Sequence, residues 1–148
     1  MDKGRRTVNT MPAGRLVFLD SSVLFSAVNS PTGGSAKLFV FPQTKLFVSK
    51  IVLHKVEKNV RAKLQNYHLD RLFMLVEKTS ILEGIPKDNQ IEDAKGVIAE
   101  KDAVILASVK NSKCDYLVTL DKKDFLQERV FEYIKPKKIV TPKMFFDL

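Results

Sequence analysis

Two spacings of apolar residues alternate along the chain and predict its secondary structure. Short runs without alternation predict strands buried on both faces, at residues 16–19, 46–48 and 116–120, with shorter candidates at 81–82 and 139–140. Apolar residues at helical spacing predict helices at residues 23–28, 35–41, 50–65, 69–76 and 122–126, and one or two more between 91 and 110. Thr141-Pro142 opens a final turn.

Strands that alternate with helices predict an α/β fold, with a mostly parallel central sheet and helices on both faces. The chain has 148 residues, which suits one domain, and it shows no internal repeat or interdomain linker. We assign residues 15–148 to this domain and residues 1–14 to a flexible basic N-terminal arm.

The chain carries a formal net charge of +8, which favours an anionic partner. Phosphate backbones and anionic lipid surfaces both fit, and charge alone does not choose between them. Arg5 and Arg6 precede the apolar run at 16–19, but Asp20 interrupts that run where an export signal would continue. No apolar stretch approaches the ~20 residues of a membrane span. With Cys114 as the single cysteine, we expect a cytoplasmic protein without membrane contact.

Acidic residues stand at the ends of two predicted strands. Asp20 follows the strand 16–19 and Asp121 follows the strand 116–120, while Asp102 begins the helix that leads back into the second of these. In open α/β sheets the carboxyl ends of the strands form the ligand-binding edge, so these carboxylates can converge. Clustered carboxylates repel one another, and Mg²⁺ or Mn²⁺ relieves that repulsion. Such ions can promote phosphodiester cleavage.

Each acid taken alone also has an ordinary structural explanation. Aspartate is a favoured N-cap, and Asp20, Asp102 and Asp121 each precede a predicted helix. Glu57 can be a solvated helix residue, and Asp124 can interact with a helix dipole. The functional interpretation therefore depends on the whole set and not on any one member.

Three segments together resemble the PIN-domain nuclease family, which includes VapC-like toxins and stand-alone ribonucleases. Residues 17–24 look like the family's opening strand, catalytic aspartate and small polar pair; residues 101–107 and 116–125 look like the segments with its third and fourth acids. The helix that contains Glu57 is similar to the one with the second acid.

The resemblance implies a PIN-like fold and a divalent-metal-dependent endoribonuclease. It implies Asp20, Glu57, Asp102 and Asp121 as catalytic residues. It also implies Asp20, Asp102 and Asp121 as metal ligands, with Asp124 or Glu100 completing the set. Ser22 and Thr119 would donate hydrogen bonds to these carboxylates, although local capping explains both equally well. Lys122 and Lys123 would contact RNA, and a solvated basic loop explains Lys135, Lys137 and Lys138 as well as RNA contact does.

The biological role stays open between the toxin of a toxin–antitoxin pair and an RNA-processing enzyme. The resemblance suggests a small antitoxin protein as a partner and a homodimer. Two alternatives remain: a structure-specific DNA nuclease, and a catalytically degenerate PIN domain that binds RNA or protein without cleavage.

Overall fold

The computed structural model describes residues 14–148. Residues 1–13 of the predicted basic arm lie outside the described residues. Within the described part, the strands are β1 (Arg15–Leu19), β2 (Thr44–Ser49), β3 (Ser80–Leu82), β4 (Tyr116–Val118) and β5 (Lys138–Val140). They form one sheet in the order β3-β2-β1-β4-β5, and every neighbouring pair is parallel. The predicted parallel α/β architecture is confirmed.

Helices occupy most of the connections between the strands. They are α1 (Ser21–Asn29), α2 (Gly34–Lys37), α3 (Lys50–Lys63), α4 (Asn66–Val76), α5 (Asp88–Lys95), α6 (Glu100–Lys110), α7 (Lys122–Phe125), α8 (Glu128–Ile134) and α9 (Pro142–Phe146), with a 3₁₀ turn at Leu38–Val40. Helix α1 contacts α3 and α4, whereas α6 contacts α5 and α8. No helix among residues 14–148 has the length and apolar character needed to cross a membrane.

The central strand β1 lies inside the core because both of its faces are apolar. Val17, Phe18 and Leu19 are fully buried, as expected for a parallel strand covered by helices. Helix α3 contacts the core through a stripe of valines at positions 52, 56 and 60, all fully buried. That stripe is set by the four-residue spacing, which places side chains on one face of a helix.

Polar caps fix where two of the helices begin. The Ser49 hydroxyl accepts a hydrogen bond from the backbone N–H of Val52 at 3.2 Å, which starts α3 directly after β2. The Thr141 hydroxyl accepts one from the N–H of Met144 at 3.1 Å, and Pro142 occupies the first helical turn of α9. The predicted final turn is therefore a short helix.

Three further elements differ from the sequence prediction. The predicted strand 116–120 ends at Val118, because Thr119 directs its hydroxyl to polar neighbours and Leu120 is 43% exposed. The predicted helix 35–41 is a short α-helix followed by the 3₁₀ turn. Helix α8 was not predicted, although its buried Val130 and Ile134 have helical spacing.

Cys114 lies just before β4 and is fully buried. Burial raises the pKa of its thiol, while the hydrogen bond with Ser112 acts in the opposite direction. This cysteine is a core residue, and its buried thiol lacks the lowered pKa of a reactive cysteine.

Candidate metal centre

The carboxyl ends of β1 and β4 are joined through the side chain of Asp20. Asp20 is 3% exposed, and its Oδ2 accepts hydrogen bonds from the hydroxyls of Ser22 and Thr119, both at 2.8 Å. The Thr119 hydroxyl in turn accepts a hydrogen bond from the backbone N–H of Asp121 at 3.0 Å. One threonine hydroxyl therefore connects two of the predicted acids across neighbouring strands.

The Ser22 hydroxyl has a second contact on the same edge. It accepts a hydrogen bond from the backbone N–H of Leu120 at 3.0 Å, while it donates to Asp20. Both hydroxyls predicted to support the acids thus contact Asp20. These two hydrogen bonds offset much of the free-energy cost of removing the carboxylate from water.

Asp102 enters the site from α6 and has a different environment. It lies in the first turn of the helix and is 4% exposed, and its Oδ2 has no hydrogen-bond partner among residues 14–148. Burial raises the pKa of Asp102 to about 6; Lys101 acts against this shift, and Asp121, Asp124 and Asp20 reinforce it. A buried carboxylate oxygen without a partner is costly, and a bound cation would remove the cost.

Asp102, Asp121 and Asp124 form a compact acidic cluster. Each can offer an oxygen such that these atoms all lie within 4.8 Å of one another. Asp121 and Asp124 are partly exposed, which leaves the cluster open on one side. Carboxylate oxygens at this separation suit a hard divalent cation, and the unpartnered Oδ2 of Asp102 fits the same group.

Lys101 partly neutralises the cluster. Its Nζ lies 3.4 Å from Oδ2 of Asp124. Desolvation tends to raise the pKa of Asp124, but the hydrogen bond and charge of Lys101 lower it overall. The pKa of Lys101 is raised, first by its hydrogen bond with Asp124 and then by the charge of Asp102.

The acids open into a cleft of about 210 Å³ at the carboxyl edge of the sheet. Its walls come from α1, α3, α6 and the loop after β4. The lining residues are Asp20, Ser21, Ser22, Phe25, Lys55, Asn59, Lys101, Asp102 and Asp121. Asp20, Asp102 and Asp121, three of the four acids predicted as catalytic, thus line one cleft, and Asp124 stands beside it.

Of the four acids predicted as catalytic, Glu57 does not line the cleft. It forms an ion pair with Arg61 at 2.9 Å, and 42% of the Glu57 side chain is exposed. At 100° per residue, Glu57 lies roughly 160° around α3 from Lys55 and Asn59, which line the cleft. The structure therefore does not place Glu57 among the residues that line the cleft, because the valine stripe fixes the rotation of the helix.

The remaining predicted residues lie outside the cleft. Glu100 is exposed beside Lys95 and is not part of the acidic cluster, so of the two candidates for completing the ligand set Asp124 is the one near the other acids. Lys122 and Lys123 are exposed next to Asp121, where they remain available to a ligand. In the basic loop, Lys137 donates hydrogen bonds to the carbonyls of Ser112 and Cys114 and so has a structural contact.

Sequence reasoning missed Lys55, Asn59 and Lys101 as members of the cleft. A signal for the first two was present, because they are four residues apart and flank the buried valine stripe. Lys101 adjoins Asp102 in sequence, but its ion pair with Asp124 depends on how α6 meets α7.

The capping explanation applies to only one of the three aspartates. Asp121 accepts a hydrogen bond from the N–H of Asp124 at 3.1 Å and so caps α7. Asp20 occupies the N-cap position of α1 without a side-chain capping bond, and Asp102 lies within α6, whose N-cap is Ala99. Capping therefore does not account for the burial of Asp20 and Asp102.

Comparison with protein-family models gives no match, and no curated protein sequence matches. Solved structures do match. PAE2754 from Pyrobaculum aerophilum has a TM-score of 0.60 at 15% identity, covering 91% of this chain and 95% of that chain. VapBC-1 from nontypeable Haemophilus influenzae has a TM-score of 0.57 at 18% identity, covering 86% of this chain and 98% of that one.

At these identities the likeness concerns the fold. The molecule is a parallel α/β protein with an acidic cleft at the carboxyl edge of its sheet. Its fold is PIN-like, and the fold that the sequence resemblance implied is confirmed.

Proposed function

We propose that this chain is a divalent-metal-dependent endoribonuclease. One observation carries the proposal: Asp102, Asp121 and Asp124 cluster within 4.8 Å beside the buried Asp20, and Asp102 keeps an unpartnered buried oxygen. The chain is basic overall, with a net charge of +8, yet it concentrates carboxylates at one point. These carboxylates repel one another, and a bound cation would relieve the repulsion. A phosphodiester is a substrate that both the basic surface and the acidic centre suit.

In this proposal Asp20, Asp102 and Asp121 hold Mg²⁺ or Mn²⁺, and Asp124 contributes beside them. The bound ion would supply Lewis acidity at the scissile phosphate. The protein's own part is positioning: Ser22 and Thr119 orient the Asp20 carboxylate, and the low exposure of Asp20 and Asp102 limits competing water. Lys122 and Lys123 lie beside the acids and would bind the RNA backbone.

The likeness to VapBC-1, together with the family resemblance and composition of the sequence, motivates three further parts of the proposal. We propose a small antitoxin-like protein as partner, a homodimeric state and a cytoplasmic location. A processing role without an antitoxin would require the same cleft chemistry. Co-purification of the chain with the product of a neighbouring small gene would separate these two roles.

The decisive experiment is cleavage of matched single-stranded RNA, single-stranded DNA and flap DNA with Mn²⁺, Mg²⁺ or chelator. We expect metal-dependent cleavage of RNA that is lost in Asp121→Asn. Asparagine caps helices nearly as well as aspartate, so that variant should remain folded. Asp70→Asn, the same substitution at an exposed position of α4 outside the cleft lining, is the control. Cleavage of DNA but not RNA would favour the DNA nuclease alternative.

One observation favours a second candidate, a degenerate PIN domain that binds RNA or protein without cleavage. Glu57 points away from the cleft, and the lining positions of α3 are Lys55 and Asn59. Fewer acids line the site than the family resemblance implied. Tight RNA binding with no cleavage in any divalent metal would support this candidate and overturn the enzyme.

A further inference from the structure

Helix α3 contributes a cation to the cleft, where the resemblance had suggested an acid. Lys55 and Asn59 line the cleft together with the aspartates. Among residues 14–148, no ion pair or side-chain hydrogen bond engages Lys55, whereas Lys101 is paired with Asp124. Lys55 is therefore the lining ammonium without a counter-ion of its own.

The charges that face the cleft set how much metal it can take. Lys101 offsets Asp124, which leaves the carboxylates of Asp20, Asp102 and Asp121 opposite the single ammonium of Lys55. One divalent cation together with Lys55 balances these three carboxylates. A second divalent cation would require further oxygen ligands from the α3 wall, and that wall offers an ammonium and one neutral amide oxygen but no carboxylate.

We propose that the cleft binds one divalent cation, and that Lys55, assisted by the side-chain amide of Asn59, binds the substrate phosphate next to it. The inference rests on the proposed function and names how that site holds its substrate. In two-metal nucleases a second ion, ~3.5–4 Å from the first, stabilises an oxygen of the phosphodiester. A fixed lysine ammonium can provide comparable electrostatic stabilisation without further ligands. Lys55 is thus proposed as a residue that binds the substrate phosphate directly.

The partly exposed setting of this pair suits a ligand from outside. Both side chains are of intermediate burial, so they are held by α3 and still reach solvent. The helix itself is fixed to the core by its valine stripe, which keeps Lys55 near the acids. An amide can donate to a phosphate oxygen, and an ammonium offers three donors.

The first test measures Mn²⁺ stoichiometry by equilibrium dialysis on the full chain, with circular dichroism as the check on folding. We expect one Mn²⁺ per wild-type chain and one in Lys55→Met. Lys55→Glu supplies a carboxylate on the α3 wall, so we expect a second Mn²⁺ in that variant. Two ions in the wild type, or one in Lys55→Glu, would overturn the inference.

The second test measures binding of a fluorescent single-stranded RNA with Ca²⁺ in place of Mn²⁺, at a time and concentration at which the wild type is first shown to leave the RNA intact. Lys55→Met should weaken binding about three- to tenfold and reduce the salt slope by about 1, as expected for one lost phosphate contact. Lys58→Met removes the same charge from the same helix at an exposed position outside the cleft lining, and serves as the matched control. Equal effects in the two variants would refute a specific role for Lys55.

These outcomes are separable from failure of the proposed function. If the wild type binds no more Mn²⁺ than Asp121→Asn, the metal site itself is refuted, and the inference is refuted with it. If the wild type cleaves RNA with one Mn²⁺ but Lys55→Met matches Lys58→Met in RNA affinity, the nuclease stands and the assignment of Lys55 fails.

Discussion

Asp20 and Asp102 are buried to nearly the same extent, yet their surroundings differ. Asp20, at the strand edge, receives two hydroxyl donors, whereas Asp102, at the start of α6, keeps an oxygen without a partner. The two hydroxyl donors thus stabilise the Asp20 carboxylate even without a bound cation. The helix side carries an electrostatic cost, seen in the raised pKa of Asp102, that a cation would relieve. Equal burial therefore does not imply an equal contribution to stability.

The largest expected effect comes from replacing each of these acids by alanine. In chelator at pH 7.5, Asp20→Ala should lower the free energy of unfolding by about 1–3 kcal/mol, because two hydroxyls lose their acceptor. Asp102→Ala should raise it by about 1–2 kcal/mol, after allowance for screening by solvent, because a desolvated charge is removed. Urea unfolding measures both values.

Cleavage should fall by at least about 100-fold in both alanine variants, since even indirect supports of a metal commonly cost 10–100-fold. The opposite changes in stability with a shared loss of activity would distinguish the two acids. The comparison fails if both variants are destabilised by the same amount.

The second prediction concerns pH. Because the pKa of Asp102 is raised from 3.8 to about 6, the folded chain retains a proton in this window that the unfolded chain releases. The free energy of unfolding in chelator should therefore fall as pH rises from about 4 to 6, with a contribution of about 1–2 kcal/mol from Asp102. Asp102→Ala should lack this contribution. Urea titrations of both proteins at pH 5 and 7.5 provide the measurement, and parallel pH profiles would contradict the assignment.

The affinity for Mn²⁺ should also depend on the proton of Asp102, but it should rise with pH, whereas the free energy of unfolding falls. Mn²⁺ competes with the proton on Asp102, so affinity should rise through pH 6. The gain in melting temperature from Mn²⁺ should accordingly be larger at pH 7.5 than at pH 5. Thermal unfolding with and without the ion measures this gain, and an equal gain at both pH values would weaken the role of Asp102 as a ligand.

The third prediction tests the hydroxyl shared by the strand edge. Thr119→Val removes a donor to Asp20 and an acceptor for the N–H of Asp121, and should cost about 1–2 kcal/mol in stability. It should also weaken Mn²⁺ binding about tenfold through misplaced carboxylates. Thr119→Ser retains the hydroxyl and should recover most of both losses. If valine and serine behave alike, the hydroxyl has no orienting role.

The smallest effect is expected for Glu57. Its ion pair with Arg61 is exposed, so Glu57→Gln should change the free energy of unfolding by less than about 0.5 kcal/mol. Mn²⁺ binding and RNA cleavage should stay within twofold of the wild type. A loss of cleavage comparable to that of Asp121→Asn would return Glu57 to the active site and contradict the rotation of α3 described above.

The sequence predicted the sheet and the positions of two of the four acids for the same physical reason. Buried parallel strands have continuous apolar runs, and residues that follow such strands share one edge, so Asp20 and Asp121 could be placed without coordinates. Glu57 could not be placed in this way, since two residues along a helix turn a side chain to the opposite face. Lys55, and not Glu57, lines the cleft because the buried valine stripe fixes the rotation of α3 about its axis.

Other features depended on contacts between distant segments. The bond from Thr119 to Asp20 spans 99 residues, and the ion pair of Lys101 with Asp124 joins two helices. Helix α8 is a different case, because its two buried residues had the right spacing but the segment is short and charged.

Because Cys114 is fully buried, the rate at which a reagent labels its thiol can report how often the surrounding core opens. Because the sulfur lies in the core ahead of β4, a thiol reagent in solution can reach it only when that part of the sheet opens. The labelling rate of the native chain would therefore report how often the strand that precedes Thr119 and Asp121 separates from its neighbours. Slower labelling in Mn²⁺ would show that the bound ion makes this opening less frequent.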